Sequence, residues 1–452
     1  MSGERLWIFY LLVVAPAGLL LCIITPPFQV NDEFQHFFRA YQVSCLVGLG
    51  RAQGGAAGGY IPVSLTLLVK GFLGARTLYE VTPVTPQRFA ATLGWLSLKL
   101  SPGQKIFADF SATVLYAPTS YLPQAAGIAL ARFAGGGALA CFYAARLANL
   151  AAALAMTAAA LRLAPFGRYA LLVIALLPTV LFLDASVSQD AWMIAALLLF
   201  LALCLRAYDR GAWSVRSALI AALAGIVLTV SKAAYGPILL LALAPCFSAR
   251  RTGYGVPVLI ILAGLLSCVA WLAASHGLMV WHVVGNDPTQ QMGFVLHHKR
   301  YTAWLLTHWV VAYGPFILAS ALGRFVGWPP EISLPGWEIN LLCLGFVAVP
   351  FTCDMPRLAP CYRLLLALLI PVTVYVVLGL LYLSYEPVGG PYIGVAEGRH
   401  FIPVLPLLAL TLAAFRLGVP AFAPAARLVL AANIALGAVC TVVTMWSVYR
   451  PF

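Results

Sequence analysis

Apolar runs of roughly twenty residues recur along this 452-residue chain, and no other feature narrows its fold so sharply. Lipid offers no hydrogen-bond partner to an open backbone, so such runs must close into helices. They fall at 6–24, 138–161, 169–185, 191–206, 217–231, 237–248, 256–275, 337–352, 362–383, 401–416 and 424–447. Apolar residues make up 62% and charged residues 9%, against about 45–50% and about 25% in soluble domains. A soluble enzyme, a disordered tail and a secreted disulfide scaffold are excluded. The expected fold is an all-α polytopic membrane protein, one domain over 1–452 with about 11 spans embedded in a lipid bilayer.

Charge sets the expected orientation. Arg162 with Arg168, Arg206 with Arg210 and Arg216, Arg250 with Arg251, and Arg357 with Arg363 fill short loops between runs. Placing all four groups in the cytoplasm obeys the positive-inside bias. The net charge of +13 then calls for no nucleic-acid partner. The first run exits into Thr25-Pro26-Pro27 rather than a small-residue cleavage site, so it reads as an uncleaved helix with a cytoplasmic N-terminus. The segment 110–131 is apolar, but as a span it would invert every later loop, and Pro118 and Pro123 punctuate it; it reads as an interfacial helix. The same logic makes 303–322, interrupted at Gly314-Pro315, an outer-surface or re-entrant element. Two long outer loops follow, 26–137 and 276–336.

With that topology only Glu4, Asp209 and Asp354 among the acids are cytoplasmic. Asp32, Glu33, Glu80, Asp109, Asp184, Asp190, Asp287, Glu331, Glu338, Glu386 and Glu397 lie on or near the outer face. The seven histidines (36, 276, 282, 297, 298, 308 and 400) join them. A transporter would bury ionisable groups near the midplane; a one-sided titratable surface points to an outward-facing enzyme. The ten cysteines form no C-x-x-C and read as packing residues. The glycines of 48–59 lack the Lys and strand–helix context of a phosphate loop and read as a flexible linker.

Five segments carry candidate chemistry. In Asn31-Asp32-Glu33-x-x-His36-x-x-Arg39, two carboxylates, an imidazole and a cation follow the first run; the group reads as an acid–base centre or as an N-cap with solvated charges. Ser186-x-Ser188-x-Asp190 joins two spans and could equally cap a helix. Lys232-x-x-Tyr235 ends a span, where the amine either snorkels or meets a phosphate. Glu397-Gly-Arg399-His400 enters a span from outside, where the cation opposes the usual charge bias. Arg146 and Asn149 lie deep in a run at i, i+3 and must find partners, structural or ligand.

In order, Asp32-Glu33-x-x-His36-Phe37-x-Arg39-Ala40, Tyr116-x-Pro118-x-x-Tyr121, Arg146-x-x-Asn149, Ser186-x-Ser188-x-Asp190, Lys232-x-x-Tyr235 and Gly398-Arg399-x-Phe401-x-Pro403 resemble a family of bacterial multi-spanning proteins grouped with the GT-C glycosyltransferases. The resemblance covers most of the chain, and its motifs are specific jointly rather than singly. It departs where Asn31 and Phe34 flank the acidic pair in place of prolines. The resemblance implies a GT-C-like bundle with juxtamembrane helices. It also implies inverting sugar transfer from a polyprenyl-phosphate donor to a glycan, lipid or protein acceptor, at the outer face of a bacterial inner membrane. Asp32 or Glu33 would be the essential carboxylate, Asp190 the acid of the second loop and Arg399 the phosphate ligand. Lys232, Tyr235 and His400 would join the donor site, with His36, Arg39, Ser188, Arg146 and Asn149 supporting. Some GT-C enzymes need a divalent metal; without a D-x-D here an obligatory one is not expected, nor any other cofactor. A polysaccharide polymerase or ligase, and a transporter or flippase of lipid-linked substrates, are the alternatives.

Overall fold

The first helix, α1 (Leu6–Ile24), is apolar throughout and stops ahead of Pro26-Pro27, whose rings remove backbone donors. The chain turns tightly and starts α2 (Glu33–Ser44). This computed structural model describes residues 5–73, 92–249, 253–280, 285–326, 332–394 and 396–449. Glu4, Glu80, Arg250, Arg251, His282 and Glu331, each assigned a side of the membrane above, lie outside the described residues.

The glycine-rich stretch is not a linker. Gly54 and Gly55, at φ +60° and +79°, form the two-residue turn of a hairpin between β1 (Arg51–Gln53) and β2 (Ala56–Pro62). A turn with both central residues left-handed matches strand twist and favours glycine. β2 also pairs antiparallel with β3 (Lys105–Asp109), from Gly58 opposite Asp109 to Pro62 opposite Lys105. A small three-stranded sheet thus sits in the first loop of an otherwise helical chain, as the all-α expectation has it.

Between the sheet strands lies α3 (Val63–Leu73). After them come α4 (Ser111–Val114), a 3₁₀ turn at Pro118–Tyr121, and α5 (Leu122–Phe133). The prolines thus cut 110–131 into pieces too short to cross a bilayer, packed on α2 and on α6 (Ala138–Leu163). Residues 169–185 are likewise two helices, α7 (Arg168–Ala175) and α8 (Pro178–Asp184), because a residue before proline avoids the helical region. Then follow α9 (Gln189–Arg210), α10 (Val215–Ser231), a 3₁₀ stretch at Ala233–Phe247 and α11 (Gly255–Ser275). The second loop carries α12 (Pro288–His297), α13 (Lys299–Leu322) and a two-stranded ladder of Phe325–Val326 with Ile332–Ser333. The chain continues as α14 (Gly336–Ala348) and α15 (Pro360–Tyr385). A 3₁₀ turn at Gly398–Val404 then runs into α16 (Leu405–Ala414), and α17 (Ala423–Tyr449) is the last helix.

Among the described residues seven helices are long and apolar enough to cross a membrane, fewer than the 11 spans expected. Lys299–Leu322 is one of them and runs unbroken through Gly314-Pro315. The expected interruption is corrected: one proline removes a single helical hydrogen bond, which a helix packed in an apolar setting tolerates. The chain is a mostly helical, multi-spanning membrane protein. The 3₁₀ stretch 233–247 has fifteen residues; at about 2.0 Å rise per residue it extends about 30 Å, the thickness of a hydrocarbon core, where an α-helix would reach about 22 Å. Proline at 237 and 245 removes two donors that an α-helical ladder through this stretch would need. α9 is the central helix, most of its apolar length enclosed by α6, α8, α10 and this stretch. α11 and α15 turn Leu259, Leu266, Val269, Leu364 and Leu368 outward, as a lipid-facing surface requires.

Candidate functional site

The two adjacent carboxylates have opposite fates. Glu33 is fully buried and meets Arg146 in a forked pair, Nε to Oε1 at 2.8 Å and Nη2 to Oε2 at 2.7 Å. Backbone N–H groups of Phe28 and Val187 donate to the same oxygens. Arg146 also donates to the carbonyls of Cys22, Thr25 and Pro26, and its guanidinium lies 4.6 Å from the Phe142 ring centroid. One turn along α6, Asn149 donates to the carbonyls of Ser186 and Ser188. The pair therefore staples three parts together: the end of α1, the turn before α2 and the turn before α9. Of the two carboxylates expected as candidates for the chemistry, Glu33 is thus the one enclosed in the scaffold.

That staple holds a strained turn. Phe28 sits at φ +66° and Asp32 at φ +58°, a region that costs a bulky side chain on the order of 1–3 kcal/mol. Aspartate tolerates it better, and its conformation begins α2. Asp32 is 38% exposed and accepts from Arg399 Nη2 at 2.6 Å. Burial pushes its carboxyl up, but the charge and hydrogen bond of Arg399, with His36 beside it, outweigh that and hold it below the usual carboxylate range.

Arg399 reaches this place because Gly398 packs against α13. A Cβ at 398 would collide with the backbone of Ser320 and Ala321. The Arg399 Nε faces Glu397 Oε2 at 2.7 Å, at an angle that makes an ion pair without a hydrogen bond. Asn31 donates weakly to the same Glu397 oxygen, at 3.4 Å. Glu397 and His400 also cap the turn reciprocally, with the Glu397 N–H donating to His400 Nδ1. Tyr235 donates to the His400 carbonyl at 3.0 Å.

Asp190 sits in the first turn of α9, where Ser188 caps the helix by accepting from its N–H. Its Oδ1 takes Lys232 Nζ at 2.8 Å and Gln189 Nε2 at 2.6 Å. Lys232 holds the extended junction between α10 and the 3₁₀ stretch, which turns its amine inward. His36 lies between the two ion pairs. Its Nδ1 bonds the Tyr121 hydroxyl at 2.7 Å and its ring stacks on Tyr116 at 6.1 Å. Burial drives His36 down to about 4, against the pull of Asp32 and Asp190, so the ring is neutral at physiological pH. Burial also keeps the Tyr116 and Tyr121 phenols protonated.

Asp32, His36, Asp190, Lys232, Tyr235, Arg399 and His400 thus come together, with Ser188 shaping the edge. Arg39 does not join them: it is buried against the carbonyls of Gly48 and Tyr116 and the side chain of Gln42. Tyr116, Tyr121 and Glu397 belong to the site and were missed as members, although the spacing Tyr116-x-Pro118-x-x-Tyr121 marked two of them. Among the described residues, no three His, Cys, Asp or Glu side chains cluster as a metal cage.

No curated protein and no solved structure is matched by the chain. One family model, described as "Predicted membrane protein (DUF2142)", matches residues 17–408 and so spans both ion pairs and the staple beneath them. On that match, over most of its length, the chain belongs to this family of membrane proteins.

Proposed function

We propose that this protein is an inverting glycosyltransferase of the GT-C type, in the inner membrane of a bacterium, with its site at the outer face. The donor is a sugar linked to a polyprenyl phosphate, and the acceptor is a cell-envelope glycan, lipid or protein. The observation that carries the reading is a partly exposed Asp32 facing Arg399, with a second cation, Lys232, in the same cluster. Cations suit a phosphate leaving group, and a carboxylate beside them suits an acceptor hydroxyl.

In the reaction the acceptor oxygen forms a bond to the sugar's anomeric carbon as the bond from that carbon to the phosphate oxygen breaks. The electron pair leaves with the phosphate, which Arg399 and Lys232 hold. Asp32 takes the acceptor proton. While paired with Arg399 this carboxylate is a weak base; a donor phosphate drawing the guanidinium away relieves the depression and strengthens it. Tyr116 and neutral His36 line the cluster as uncharged polar groups.

Substituting Asp32→Asn keeps shape and removes the base. Transfer from a polyprenyl-phosphate sugar should fall by at least about a hundredfold. Mass spectrometry of envelope glycans from cells carrying either form would identify the sugar; an unimpaired variant overturns the role given to Asp32.

A further inference from the structure

Two cations of the site, Arg399 and Lys232, face three acidic side chains, Asp32, Asp190 and Glu397. Formally the cluster is negative, and an incoming phosphate would add to the excess. A site meant for a phosphate must therefore shed or displace a carboxylate. The three are not equally held. Asp190 has 3% side-chain exposure and is bonded to both Lys232 and Gln189. Asp32 has a 2.6 Å hydrogen bond to Arg399 Nη2. Glu397 is 44% exposed, meets Arg399 Nε at 2.7 Å without a hydrogen bond, and is otherwise held by a 3.4 Å bond from Asn31 and by its cap on the His400 N–H, which a neutral polar side chain can also supply. The buried Nε–H it covers is thus left without a hydrogen-bond acceptor, although an oxygen stands beside it.

We propose that Glu397 is a built-in stand-in for the phosphate: it covers Arg399 in the empty site and yields that guanidinium edge to the phosphate oxygens of the ligand. This rests on the reading of Arg399 as a phosphate ligand and adds the competitor for that position. An aligned phosphate oxygen satisfies the Nε–H that Glu397 leaves unbonded. Displacing Glu397 also removes like charge from the path of the anion. The exchange is reversible and breaks no covalent bond. Until the ligand arrives Glu397 covers the Nε edge of Arg399, while Asp32 holds the Nη2 edge.

The test is binding rather than turnover, with full-length protein in nanodiscs. The probes are a polyprenyl monophosphate in one arm and inorganic phosphate in the other. Glu397→Gln and Glu397→Ser both keep a polar capping group and remove the charge. Each should tighten polyprenyl-phosphate binding about fivefold, the worth of one exposed ion pair of about 1 kcal/mol. Tightening in both arms assigns the site to the phosphate group alone; tightening in the lipid arm only assigns it to the lipid-linked form. A merely structural role would leave binding unchanged or weaken it, and either result overturns the proposal. Arg399→Gln separates the two claims. If it abolishes binding while the Glu397 variants bind no tighter, the stand-in fails and the phosphate site survives. If it changes nothing, both fail.

Discussion

Glu33 and Asp32 differ by one position and by everything that surrounds them. The carboxylate pair and its neighbours at 36 and 39 were legible in the sequence, as was the need of Arg146 for a partner. Which acid is structural was not, because that depends on a turn where Phe28 and Asp32 take left-handed conformations. The same turn sends Arg39 to backbone carbonyls rather than to the site. Two contrasting outcomes follow. Glu33→Gln strands a buried guanidinium and should lower unfolding stability by about 3–5 kcal/mol, read from thermal unfolding in detergent. Asp32→Asn weakens a pair in which Asp32 is 38% and Arg399 14% exposed, and should cost less than Glu33→Gln, about 1–2 kcal/mol; equal losses would overturn the division of labour. His36 gives a pH signature. Its ordinary value is about 6.5 and burial lowers it to about 4. Between those values the unfolded chain takes up a proton at position 36 that the folded chain refuses, so stability falls as pH falls through that window. Above it the group contributes no slope. His36→Gln should flatten the unfolding midpoint against pH from 6.5 to 4, and an unchanged profile would refute the assignment.

Helices declared themselves through apolar runs, whereas sites where proline or glycine sets the backbone were read less well. Pro178 split one expected span, yet Pro315 left α13 whole; local rules cannot say when packing absorbs a lost hydrogen bond. The glycines of 54–59 looked flexible because composition does not reveal that two of them turn a hairpin. The segment 110–131, judged by charge parity, is indeed a set of short pieces. Gly398 is the element-level control of the site, since it lets the turn carrying Arg399 lie against α13. Gly398→Ala should push that turn away at a cost of about 1–3 kcal/mol in stability and weaken phosphate binding through Arg399. Wild-type binding in that variant would show that the contact is dispensable.

For the whole molecule the proposed orientation makes a direct claim. Cysteine introduced at Gly54 should react with a membrane-impermeant maleimide added outside intact cells, and cysteine at Ala212 only after the membrane is opened. The reverse pattern would place the cluster on the cytoplasmic side. Depth is controlled separately from side, and there the 3₁₀ stretch 233–247 matters. Lys232 and Tyr235 sit at its N-terminal end, bonded to Asp190 and to the His400 carbonyl. Were the same residues to coil into an α-helix, that strut would shorten by about 8 Å. Lys232 would be dragged off Asp190 and the hydroxyl of Tyr235 off the turn that bears Arg399. Two prolines thus act as a spacer gauge, setting how far the cations stand from the opposite end of that strut.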